Sequence, residues 1–235
     1  MLFQDPEIFR ISLVLVVQTF VLVLFFYLAF KILKRKIDIT TITLSLFYFI
    51  IGIGLVLSGI FFFMSATPTG LIIYNLGAYC ILFGQIFLVA FIYNILKFSQ
   101  SIKSIKQISI ILLFGIISLL LLLFFPEGIT ISSETNYAPK YSWPFLITLY
   151  LFFTFTIVLP SLTYFRKLYK LFEDRDLRKK LRFFLIGICG FFFSFYGLIL
   201  YNTWQDPLFK LIWGFMSFIV LPSGYLIYYG IGRGL

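Results

Sequence analysis

Ile108–Phe125 reads ISIILLFGIISLLLLLFF. Eighteen residues pass without a charge, and the apolar positions run on continuously instead of alternating. A bilayer core takes about 20 apolar residues of α-helix, whereas a barrel strand alternates over about ten. The run is therefore read as a membrane-spanning helix. Six more runs of the same kind follow from it in both directions: Ile8–Ile32, Ile42–Met64, Leu71–Leu96, Trp143–Phe165, Phe183–Tyr201 and Leu208–Tyr229. No connection between them exceeds 17 residues, which leaves no room for a second folded domain. The expectation is one all-α, polytopic, seven-helix bundle over residues 1–235.

Composition agrees with that reading. The chain is 61% apolar, 12% charged and holds 33 Phe among 235 residues, against about 45–50% apolar and about 25% charged for a soluble domain. A water-soluble globule and a disordered chain are excluded. So is a nucleic-acid binder carrying its +10 net charge on a folded face.

The charge is explained by its distribution. Sixteen Lys and Arg fall on alternate connections, at Lys31–Lys36, Lys97–Lys106, Arg166–Arg182 and Arg233, and only Arg10, Lys140 and Lys210 fall on the others. Positive charge is retained in the cytoplasm, so the N-terminus is expected outside and the C-terminus inside, in a cell membrane with anionic headgroups against the basic loops. Trp143, Trp204 and Trp213 are expected at the outer interface. The first span follows Asp5 and Glu7, not a basic segment, and is expected to remain as a helix and not to act as a removable signal.

Several chemistries are excluded by residue type. The chain has no histidine, so His-ligated metals, haem and His-based nucleophilic catalysis cannot be built. Cys80 and Cys189 are far apart in apolar runs and read as small packing residues. No charge lies deeper than the third residue of any span, whereas proton pumps and ion-coupled transporters use buried ionisable groups. No enzymatic activity, cofactor or metal is expected.

What remains is packing and mechanics. Gly187, Gly190, Ser194 and Gly197 share one face of the sixth span, as a packing seam within the bundle or, alternatively, a homodimer seam or sliding surface. Gly54, Ser58 and Gly59 form a related patch. Gln18, Gln85 and Asn94 read as interhelical glue. Asn75, Tyr79, Tyr141, Trp143, Asn202, Trp204 and Asp206 all belong to the outer half. They read either as the rim of an outward-facing pocket or as interfacial and loop residues. Pro160, and Pro222 with Gly224, remove or loosen backbone hydrogen bonds near the cytoplasmic ends and are candidate hinges or passive bends. Arg178, Lys179, Lys180 and Arg182 form a candidate cytoplasmic platform at the start of the sixth span, or a basic loop resting on lipid headgroups. Asp174 or Asp176 is expected to cap that helix.

Further motifs point to a family. Pro126-Glu127-Gly128 follows the fourth span, Tyr141-Ser142-Trp143 opens the fifth, RKKLRFFLIG at Arg178–Gly187 opens the sixth, and Arg233 follows the seventh. With seven spans and an outside N-terminus, this pattern resembles the seven-helix sensor module at the N-terminus of some prokaryotic histidine kinases. The resemblance implies a membrane-embedded signal detector. With no kinase part in the sequence, output would pass to a separate cytoplasmic protein. Rhodopsin-like receptors fit less well, since Leu221 replaces the usual Asn before the PxxY-like Pro222–Tyr225. The expected function is a non-enzymatic sensor or receptor-like module. The alternatives are a transporter or permeation pathway for an uncharged or lipophilic solute, and a structural subunit of a membrane complex. No nucleic-acid partner is expected.

Overall fold

The computed structural model describes residues 6–35, 37–97, 104–135 and 137–232. Lys36, Lys103 and Arg233 lie outside the described residues. Among the described residues seven helices are long and apolar enough to cross a membrane, which makes the chain a multi-pass membrane protein. They are α1 (Pro6–Leu33), α2 (Ile39–Met64), α3 (Pro68–Leu96), α4 (Ser104–Phe124), α5 (Trp143–Leu171), α6 (Arg175–Thr203) and α7 (Pro207–Ile231).

Helix starts follow local chemistry. Asp38 caps α2 by accepting from the Thr40 and Thr41 amides, and the Thr41 hydroxyl closes the reciprocal half of the capping box. Asp174 caps α6 through the Asp176 and Leu177 amides, and Asp206 caps α7 through the Phe209 amide. Pro68, Pro144 and Pro207 occupy first-turn positions where no amide partner is lost. Helices α5 and α6 run beyond the apolar stretches because their extensions stay amphipathic. Leu168 and Leu181 remain buried while Lys167, Lys170, Lys179 and Lys180 point outward.

Helices α1, α2, α3, α5, α6 and α7 pack successively into a ring, with α7 returning against α1, and α4 lies outside it against α3. Small residues set the closest approaches. A Cβ on Gly54 would stand 2.8 Å from the Gly77 carbonyl oxygen, and one on Gly187 would stand 2.8 Å from the Ser223 carbonyl oxygen. Backbones meet there only because the side chains are absent. Phe25, Phe47, Tyr48, Phe91, Phe153 and Phe184 fill the interior and are fully buried.

Both intramembrane prolines follow an irregular turn. A π turn at Thr154–Val158 precedes Pro160 in α5, and a 3-10 turn at Ser217–Ile219 precedes Pro222 in α7. Proline lacks an N–H and its ring crowds the carbonyl four residues earlier, here those of Thr156 and Phe218. Widening or tightening the preceding turn relieves that clash.

The α4–α5 connection is ordered. Strands β1 (Ile129–Thr130) and β2 (Lys140–Tyr141) pair antiparallel, with Ile129 opposite Tyr141. A 3-10 turn at Ser133–Thr135 lies between them. This hairpin, with the α2–α3 and α6–α7 turns, forms one end of the bundle, termed the loop end. Lys31–Arg35, Lys97 and Arg166–Arg182 lie at the other, basic end.

One tryptophan departs from the expected belt. Trp143 and Trp204 are exposed near the loop end, but Trp213 is buried, 7% exposed. Its indole fills the space beside Gly197, so any Cβ there would overlap the ring. The glycine makes an interior slot, and the indole gains more from filling it than from the interface.

Candidate ligand-binding cavity

The helical ring encloses a cavity of about 1120 Å³ reaching the loop end. That is slightly above the usual range of small-molecule sites, about 300–1,000 Å³. Its walls come mainly from α1, α2, α3, α6 and α7, with Leu122 of α4 and Leu149 of α5 completing them, and the hairpin residues Glu134, Tyr137, Lys140 and Tyr141 line its mouth. Most of the wall is apolar, as at Val21, Leu55, Ile81, Phe195 and Trp213.

Polar groups at the mouth are already organised. The Tyr74 and Tyr141 hydroxyls are hydrogen-bonded at 2.6 Å, and Asn202 Nδ2 donates to the Tyr74 oxygen at 3.3 Å. This joins α3, β2 and α6. Tyr74 also packs on Phe61, with ring centroids 5.0 Å apart. Burial pushes the Tyr141 phenol above its ordinary pKa, and hydrogen bonds from Tyr74 and Asn202 oppose that rise. Beside them, Lys210 is only 8% exposed. Its Nζ donates to Gln205 Oε1 and lies 5.6 Å from the centre of the Tyr201 ring.

Farther in, Gln18 Nε2 donates to the Leu55 carbonyl at 2.8 Å, and Gln85 Nε2 to the Ile81 carbonyl at 3.2 Å. The Ser58 and Ser194 hydroxyls each donate to the carbonyl one turn back, of Gly54 and Gly190, at 2.9 Å. All four residues line the cavity. It ends at Phe25, Ile51 and Phe191. Behind them Phe47 packs on Phe191 at 5.1 Å and Tyr48 on Phe25 at 5.2 Å. Tyr48 then donates to the Gly224 carbonyl at 2.8 Å.

The structure brings two of the seven pocket residues expected from sequence, Tyr141 and Asn202, to this cavity. The other five stand elsewhere. Tyr79 stacks on Phe83 beside Gly115 of α4, on the outer side of α3. Asn75 is outside the lining, and its Oδ1 is buried without a hydrogen-bond partner. Trp143 is exposed, Trp204 stacks on Phe209, and Asp206 is engaged as the α7 cap. Tyr74, Gln18, Gln85, Ser58 and Lys210 line the cavity unanticipated as pocket residues. Glutamines in an apolar span were the available signal, although interhelical bonding explains them equally well.

The remaining features are placed as follows. Gly187, Gly190 and Gly197 face Ile227, Ser223 and Trp213 of α7. The stripe is therefore filled from within the same chain, and Ser194 turns to the cavity. Gly59 has open space around it. A Cβ on Gly224 would press 2.7 Å from the Phe25 ring. In the platform, Arg178 Nε donates to the Phe172 carbonyl at 2.7 Å, and Arg182 Nε to the Tyr169 hydroxyl at 3.2 Å. Those two arginines brace the α5–α6 turn, while Lys179 and Lys180 are exposed. Cys80 is half-buried and Cys189 exposed, both as free thiols. Among the described residues no cluster of acidic residues and cysteines could hold a metal ion.

No family model matches the chain, and no curated protein matches it.

Proposed function

We propose that the chain is a non-enzymatic receptor-like membrane module that binds a small lipophilic ligand in its loop-end cavity and signals to a cytoplasmic partner. The loop end faces outside and the basic end lies in the cytoplasm, following the Lys/Arg bias. The reading accords with the resemblance to the sensor module of histidine kinases.

The observation that carries it is a cavity open at one end and stopped at the other. The Phe25 and Phe191 side chains form part of its floor, and Phe47 and Tyr48 are buried behind them. A binding chamber has that form, and a continuous pore does not. Helix α7 connects the two ends. Trp213 is in the cavity wall, Gly224 sits on Phe25 and Tyr48, and the Tyr228 hydroxyl accepts from Arg35 at 2.7 Å at the basic end. A ligand shifts such a bundle only by binding one arrangement better than another. The irregular turns before Pro160 and Pro222 are where α5 and α7 would rearrange.

The test is cross-linking from the basic end. Replacing Lys179 and Lys180 with Gln removes exposed charge without touching the Arg178 brace. Wild-type protein should recover a defined cytoplasmic partner and the double variant should not. Wild-type protein that recovers none would overturn signalling.

A second reading, a transporter for an uncharged or lipophilic solute, is favoured by the cavity's size and apolar wall. Solute flux into proteoliposomes at wild-type level, without a partner, would select it.

A further inference from the structure

We infer that the cavity is selective for a neutral lipophilic molecule with a hydroxyl group in its buried part, received by Gln85 at the floor. This rests on the cavity reading above and specifies its ligand.

Gln85 is fully buried and stands in the cavity wall. Its Nε2 is held by the Ile81 carbonyl, and its Oε1 has no hydrogen-bond partner. The reverse amide orientation would set Oε1 against that carbonyl, so the oxygen remains the unpaired atom. An unsatisfied buried acceptor is costly, and a ligand that donates to it removes the cost. Gln85 follows Tyr74 by eleven residues on α3, about 16 Å of helix rise below the mouth.

The other inner polar groups agree. Ser58 and Ser194 give their single proton to helix carbonyls, so each hydroxyl offers only lone pairs to the cavity. The two glutamines each keep a second amide hydrogen. The inner wall is thus richer in acceptors than in donors and holds no charge. A carboxylate would meet lone pairs there, and an ammonium would be desolvated without a counter-ion. A hydroxyl pairs with a carboxamide in both directions, donating to Oε1 and accepting from the second amide hydrogen, while its apolar body lies along Leu55, Ile81 and Phe195.

The experiment uses the full chain with Trp143→Phe and Trp204→Phe, which leaves Trp213 in the cavity wall as the sole tryptophan, in phosphatidylcholine nanodiscs. Quenching is titrated with a terminally brominated long-chain alcohol, its methyl ether and the matching carboxylate. Saturable quenching is expected, with the alcohol about tenfold tighter than either analogue. In Gln85→Met the alcohol-to-ether ratio should fall to about one. Saturable binding with equal affinities in the unsubstituted cavity, or a preference that survives Gln85→Met, overturns the inference and leaves the cavity reading intact. No saturable quenching by any of the three probes overturns the cavity reading itself. The comparison of probes without Gln85→Met decides the ligand class even where that variant does not fold.

Discussion

The phenol oxygens of Tyr74 and Tyr141 lie 2.6 Å apart at the mouth of the cavity, pinning the α4–α5 hairpin to α3. Both side chains are buried, so this bond holds the hairpin over the opening with little competition from water.

Tyr141→Phe is therefore expected to lower stability by about 1 kcal/mol, measured by thermal unfolding in detergent. Tyr74→Phe should cost a similar amount, and the double variant less than the sum, since both remove one bond. Additive losses would show that the two hydroxyls act separately.

The same pair sets a pH dependence. Burial raises the folded-state pKa of Tyr141 above its ordinary value of 10.0. The unfolded chain then loses this proton first as pH rises. Stability should be constant with pH below about 10 and fall above it. The fall should be shallower in Tyr141→Phe, and an identical slope in the variant would remove Tyr141 from the account.

Gly197 receives the Trp213 indole, and Gly59 faces open space. Gly197→Leu should cost at least about 1–3 kcal/mol by overpacking, read as a lower melting temperature. Gly59→Leu should leave stability nearly unchanged. Equal losses would mean that the α6–α7 contact does not set the cost at Gly197, since helix propensity favours Leu over Gly at both positions.

At the basic end, Arg178→Gln should lower stability by about 1 kcal/mol, because it frees the Phe172 carbonyl at a partly exposed site. Lys179→Gln with Lys180→Gln should not. A stability loss in the lysine variant would assign the platform a structural role.

Orientation is checked by single cysteines at the exposed Ser133 and Lys180 in a Cys80→Ala, Cys189→Ala background. An impermeant thiol reagent applied to intact cells should label position 133 and not 180. The opposite pattern would invert the topology.

The sequence by itself determined the seven helices. Their apolar runs and the Asp174 cap are local, and each acts within a few residues of where it is read; the Asp38 and Asp206 caps are equally local, but only the structure assigned them. Charge segregation between the two sets of connections is equally a property of the chain alone. How far each helix is rotated about its axis was not legible. In a water-soluble helix the polar face reports rotation. In a bilayer both the lipid side and the interior are apolar, so the pattern carries almost no phase.

Tyr74 and Asn75 show the consequence. Neighbours on a helix point about 100° apart, and only packing of Gly77 on Gly54 and Gly84 on Ile51 turns Tyr74 to the cavity and Asn75 away from it. Gln18, Gln85 and Trp213 were assigned in the same way, by contacts between residues distant in sequence. Helix existence follows from the solvent each segment must satisfy. The cavity follows from the glycines that fix how those helices are turned against one another.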